Sequence, residues 1–104
     1  LLRTKNGAGI TVRISNDQSL IKLVSYIGSS LKLNGVVNME FIKNSDKYYL
    51  IDINPRFSAG VAFSVKSGYN MILNSLNCYT NENIEIGGKY YCGLMTKRYY
   101  EEIL

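Results

Sequence analysis

Residues 36–60 read VVNMEFIKNSDKYYLIDINPRFSAG. Two runs of alternating polarity flank a polar turn. In the first, Val37, Met39 and Phe41 point to one face, and Val36, Asn38, Glu40 and Ile42 to the other. In the second, Tyr49, Ile51 and Ile53 share one face, and Tyr48, Leu50, Asp52 and Asn54 share the other. Asn44, Ser45, Asp46 and Lys47 are turn formers. An antiparallel pair folded about Asp46 sets Glu40 opposite Asp52 and Asn38 opposite Asn54. A slip of one residue would send the apolar sets to the wrong faces, so the alternation itself specifies the register.

Carboxylates facing each other across a strand pair repel, so a proton or a cation has to sit between them. No Lys or Arg lies within 36–42 or 48–54 to do so. A hard divalent cation would, because Mg²⁺ takes carboxylate oxygens, waters and ligand phosphates. Arg56, just past Pro55, is then placed to fork onto an anion held by that cation. The spacing alone leaves a plainer alternative open, a solvated polar face with Arg56 neutralising Asp52.

The run GVVNMEFIKNSDKYYLIDINPRFSAG, residues 35–60, closely resembles the carboxy-terminal metal-binding hairpin of the ATP-grasp superfamily. The usual form there is Gly-x-x-Asn-x-Glu/Gln-Phe, a variable turn, then Glu/Asp-x-Asn-Pro-Arg. The variant looks most like the carbamoyl-phosphate synthase large-subunit branch. The earlier Gly-Ala-Gly-Ile-Thr-Val stretch at 7–12 and the later Gly68-Tyr69-Asn70 stretch also fit it. The resemblance implies that Glu40 ligates one Mg²⁺ (or Mn²⁺) and that Asp52, in a place usually held by glutamate, bridges two. It implies that Asn54 holds the second ion through its carbonyl oxygen. Arg56, the catalytic residue, would bind the transferred phosphoryl group or the acyl-phosphate. Asn38, Arg56 and Ser58 make up the cofactor-binding set for ATP. Ser58 on its own could donate to a phosphate, but its residue type and place favour a simple helix cap.

With 104 residues the chain holds one domain at most. It opens on leucine, which points to a chain cut from a longer protein, a carboxy-terminal subdomain spanning 1–104. No run of about 18 apolar residues offers a membrane span, and no leader suggests secretion; a cytoplasmic location is expected. The net charge of +4 is scattered and suits an anionic ligand such as a nucleotide. The nine tyrosines could stack on bases, but most fall in strand-like runs where Tyr is at home, so nucleic acid is not expected. Cys78 and Cys92 lack metal-ligand spacing and no histidine is present, which removes zinc sites and His-dependent triads. Both cysteines read as reduced thiols, though a disulfide between them stays open.

Basic residues occupy the equivalent of Arg3 and Lys5 in the family, near the acid substrate or phosphates; surface charge is the alternative. Ile10, Val12 and Ile14 share one strand face, with Thr11 and Arg13 on the other. Ser15 with Gln18 forms a capping box, with Asp17 in the first turn. Leu20, Leu23, Val24, Ile27 and Leu31 then recur at helical spacing and read as core. That helix should stop at Leu33, Asn34 and Gly35. A short helix over 62–66 stopped by Gly68 and a second capped by Asn70, burying Met71, Ile72, Leu73 and Leu76, should follow. Residues 77–89 read as a connection and 90–104 as one or two strands at a sheet edge.

The order strand, helix, strand, strand, helices, strand is an α+β layout, an antiparallel sheet backed by helices, and it agrees with the second half of an ATP-grasp fold that the resemblance implies. The function this implies is the Mg/ATP-binding half of an ATP-dependent carboxylate–amine or ammonia ligase working through an acyl-phosphate. ATP and a small carboxylate substrate would meet it through an upstream subdomain, and the excised chain should bind Mg-ATP poorly and not turn over. The competing reading is a non-catalytic dimerisation or regulatory module, and a homodimer is compatible with either.

Overall fold

The computed structural model describes residues 2–3, 9–85, 89–97 and 103. The elements run β1 (Leu2–Arg3), β2 (Gly9–Ile14), α1 (Gln18–Ser30), β3 (Asn38–Asn44), β4 (Lys47–Asn54), α2 (Val61–Ser67), α3 (Met71–Thr80) and β5 (Gly93–Thr96). The class is α+β, as the element order predicts. The single sheet expected is instead two small antiparallel sheets, a three-stranded one ordered β1-β2-β5 and the β3-β4 hairpin. β5 lies at an edge, paired to β2 with Thr11 across from Thr96 and Arg13 across from Leu94. Arg13 is exposed on this first sheet, not on the hairpin. Lys5, Gly87, Gly88, Arg98 and Tyr99, and the side chain of Arg3, lie outside the described residues.

Helix α1 starts later than the capping box predicts. Asp17, not Ser15, is the cap, in extended backbone, accepting from the Ser19 and Leu20 amides at 3.0 and 3.2 Å. A carboxylate there gains from the helix dipole as well as from the amides, and Tyr48 and Lys43 reach it from the hairpin. Gln18 turns its amide to the Asn16 side chain instead of reaching back to Ser15. The far end also differs. Lys32 takes the left-handed position at φ 51°, and the Leu33 amide returns to the Gly28 carbonyl at 2.9 Å, closing the helix before Asn34 and Gly35.

The core sits where α2 packs on β2 and α3. Phe63 is the buried apolar residue there, 6% exposed, beside buried Ser67 and Asn74. The α1 stripe expected as core is only half-buried, and Leu31 is 57% exposed. On α3, Ile72, Leu73 and Leu76 face outward, contrary to the expected packing, and Asn74 takes the inner position. Asn74 can be buried because its amide is fully used. Its Nδ2 donates to Tyr69 Oη and to the Glu85 carbonyl, both at 2.7 Å, and its Oδ1 accepts from the Glu85 amide at 2.9 Å. Among the described residues no helix is long and apolar enough to cross a membrane.

Candidate metal and phosphate site

Strands β3 and β4 fold about Ser45 and Asp46, with Asn44 paired to Lys47. Ser45 adopts a left-handed φ of 54°, which closes the tight turn. From that turn the ladder runs Lys43 to Tyr48, Ile42 to Tyr49 and Phe41 to Leu50. Between Phe41 and Glu40 the register shifts, and the ladder resumes with Glu40 opposite Asp52, Met39 opposite Ile53 and Asn38 opposite Asn54. Ile51 is the unpaired residue of this bulge. The site end therefore carries the expected register, while the turn end is one residue out of step with it.

The bulge corrects the face assignment made from strict alternation. Tyr48 and Leu50 share a face with Phe41, not with Asp52. The Tyr48 and Phe41 rings meet edge-on at 6.3 Å, and the Tyr48 hydroxyl donates to Asp17 Oδ2. Lys43 lies 3.6 Å from the same carboxylate and 4.9 Å above the Tyr48 ring. The Tyr48 hydroxyl, then the Leu20 amide, the Lys43 charge and the Ser19 amide hold the Asp17 carboxyl below its ordinary range, against a desolvation effect that raises it. Tyr48, and after it Asp17, raises Lys43. This cluster joins the turn end of the hairpin to the start of α1.

On the opposite face Glu40 and Asp52 are exposed, and Asn38 and Asn54 half-buried. Asn54 Nδ2 donates to Asp52 Oδ2 at 2.7 Å. That bond orients the carboxylate and turns Asn54 Oδ1, a neutral oxygen donor, away from Asp52. Among the described residues no three His, Cys, Asp or Glu side chains gather. Two carboxylates and an amide oxygen are all-oxygen donors, a chemistry that would fit a hard cation such as Mg²⁺ and would not fit zinc.

Past Pro55 the chain turns sharply, with the Arg56 amide on the Asn54 carbonyl at 2.8 Å. Arg56 is exposed, and its Nη1 donates to the Phe57 carbonyl at 3.0 Å. The exposure of Glu40, Asp52 and Arg56 agrees with the plainer reading of a solvated face, although among the described residues Arg56 makes no ion pair with Asp52 and the one carboxylate paired to a cation is Asp17. Ser58 Oγ accepts from the Gly60 amide at 3.1 Å, and its carbonyl from Val61, so Ser58 shapes the entry to α2. Its hydroxyl proton is still free to donate. Sequence reasoning did not find Lys97, whose Nζ donates to the Ala59 carbonyl at 2.9 Å. They lie 38 positions apart, so no local signal could have shown it.

Neither of two open grooves on the described surface is lined by Glu40 or Asp52. One of about 620 Å³ lies between α2 and β5, over Phe63, Lys66, Met95 and Lys97. The other, about 440 Å³, lies between Val24 and Gly28 of α1 and the strand start at Val37, Asn38 and Met39.

A family model described as ATP-grasp in the biosynthetic pathway with Ter operon matches residues 1–90. No curated protein matches the chain, and no solved structure does.

Proposed function

The chain belongs to the family of ATP-grasp proteins in the biosynthetic pathway with Ter operon, and on that premise we propose that it supplies the metal and phosphate end of an ATP-dependent carboxylate–amine or ammonia ligase. Family membership supports ATP binding and ligase-type chemistry. Within that class our reading is a carbamoyl-phosphate synthase-like branch, with this chain as the carboxy-terminal subdomain and the adenine pocket and phosphate-binding lysines elsewhere in the protein. The observation that carries it is the direct opposition of Glu40 and Asp52, with Asn54 on the same face and Arg56 immediately after.

Glu40, Asp52 and Asn54 would hold Mg²⁺, or Mn²⁺ in its place. When bound, the ion supplies charge neutralisation for the nucleotide phosphates. In the reaction proposed, a substrate carboxylate oxygen bonds to the γ-phosphorus as its bond to the ADP oxygen breaks. The nitrogen nucleophile then bonds to the acyl carbon, and phosphate departs with the electrons of the acyl–oxygen bond. Arg56 leaves the Phe57 carbonyl to donate to the equatorial oxygens of the phosphoryl group, where charge builds up. Asn38 and Ser58 donate hydrogen bonds to the nucleotide from either side of the acids. Asn54 keeps Asp52 oriented through the bond already formed. None of these roles needs a covalent nucleophile, in keeping with a chain without histidine.

The rival reading, a dimerisation or regulatory module, draws on exposed apolar side chains such as Leu50, Ile51 and Leu76. The remainder of an ATP-grasp fold would cover such surface equally well. The deciding experiment is acid-dependent ADP release by the whole protein that carries this chain, with and without Asp52→Ala. We expect release that needs both a carboxylate and a divalent ion, and its loss in the variant with the fold intact. Full activity in Asp52→Ala removes Asp52 from the site.

A further inference from the structure

Lys97 joins the first sheet to the segment that follows β4. Its backbone is fixed on the first sheet, with its amide on the Ile10 carbonyl at 2.9 Å, just past β5. Its ammonium reaches across to the segment after β4 and donates to the Ala59 carbonyl at 2.9 Å. On the way it lies 4.9 Å over the ring of Phe63, the buried apolar residue of the core. A cation within about 6 Å of a ring face is attracted to it, and the side chain is half-buried, so few rotamers keep both contacts.

Ala59 lies between Ser58 and the Gly60 cap of α2. On that same short segment the Gly60 amide bonds Ser58 Oγ and the Val61 amide bonds the Ser58 carbonyl. Any shift of the Ala59 carbonyl thus moves Ser58 directly and Arg56 through three peptide units. We infer that Lys97 is a positioning residue for Arg56 and Ser58, holding their segment against the first sheet from outside the hairpin. The inference rests on the ligase reading for its catalytic consequence, but its structural content stands on the Lys97–Ala59 bond. Glu40 and Asp52 sit on β3 and β4, before the segment that Lys97 holds, so metal binding should not depend on it.

The test uses the whole protein with Lys97→Met, which keeps an unbranched apolar stem over Phe63 and removes the donor, and Lys97→Arg, which restores one. We expect Lys97→Met to lower kcat between about 10- and 100-fold, the scale of a small misplacement near the chemistry. The Mn²⁺ binding midpoint, followed by the free-ion spin-resonance signal, should stay where it is. Lys97→Arg should recover most of kcat. Amide hydrogen exchange over 57–61 should quicken in Lys97→Met and return to the parent rate in Lys97→Arg. Unchanged exchange over 57–61 in Lys97→Met overturns the inference whatever the activity does. So does a fall in kcat matched by weakened Mn²⁺ binding, which would mean general damage. Asp52→Asn serves as the separate arm. If it leaves Mn²⁺ binding intact the metal reading fails, and the exchange result still judges Lys97.

Discussion

Glu40 stands directly across the ladder from Asp52, although the strands that carry them do not keep one register along their length. The reason lies on the other face. Tyr48 points toward Phe41 and Asp17 at the turn end, and Ile53 pairs with Met39 at the far end. Tyr48 and Ile53 are an odd number of positions apart, so a regular strand would place them on opposite faces. One extra residue, Ile51, lets both face the same way and keeps the acids together on the reverse side. A bulge beside a functional group is a recurrent means of aiming a side chain.

Ile51 is therefore dispensable for the pairing of the acids. Deleting it should leave a regular ladder in which Leu50 still faces Phe41 and Asp52 still faces Glu40. Inserting an alanine between Ile51 and Asp52 should instead slide Asp52 along its face to lie opposite Asn38, away from Glu40. Cysteines at 40 and 52, with Cys78 and Cys92 changed to serine, report the outcome, because directly opposed strand positions lie within disulfide reach. We expect the cross-link in the parent and in the deletion, and not in the insertion. Cross-linking in the insertion as readily as in the parent would show that the ladder slides freely.

Arg56→Ala should reduce acid-dependent ADP formation by two to three orders of magnitude, about 3 kcal/mol of transition-state stabilisation, as for other lost donors to developing oxyanion charge. Arg56→Lys should recover little, since an ammonium cannot reproduce the two-pronged contact of a guanidinium. Single-turnover rates at saturating ATP measure both. A lysine variant with near-parent rates would reduce Arg56 to a point charge.

The acid register was legible because two independent alternations had to agree, and a slip by one would have exposed both apolar sets. What was not legible is the bulge. Alternation in 48–54 looks unbroken, and only the distant partners of Tyr48 and Ile53 reveal that the strand changes phase. The cap of α1 was misplaced for a related reason. Ser15 with Gln18 satisfies the local rule, but Asp17 also receives Tyr48 and Lys43 from a hairpin far along the chain. On α3, counting Ile72, Leu73 and Leu76 as core ignored that Asn74 had three partners waiting at Tyr69 and Glu85. Helix existence followed from local spacing, whereas which side of a helix is buried depended on what packs there.

The Asp17 cluster makes stability depend on pH at both ends of the scale. Asp17 is lowered from 3.8, so its contribution is complete above that value and is lost as pH falls through the lower folded one. Lys43 is raised from 10.5, so its contribution is complete below that value and is lost as pH rises through the higher folded one. Asp17→Asn keeps a capping oxygen but removes the charge. Its melting temperature should lie below the parent's at neutral pH and converge on it in acid. A gap that persists unchanged at the lowest pH would assign the effect to the cap geometry alone.

Asn74→Leu offers the sharpest test of where the core begins. Judged by α3 alone, an apolar residue among Ile72, Leu73 and Leu76 should be harmless or stabilising, since leucine is the better helix former. Judged by the structure it should do harm. The Glu85 amide would lose its acceptor and the Glu85 carbonyl one of its donors, and the strap over α3 formed by Asn74 with Glu85 and Asn77 with Asn83 would be left with one end. Leaving such groups unpaired costs about 1–3 kcal/mol, more than the gain in helix propensity, which is a few tenths of that scale. The urea midpoint of the whole protein should therefore fall, and exchange at the Glu85 amide should quicken. A raised midpoint would mean that the 82–85 segment does not lie on α3, and that the helix turns its apolar side inward after all.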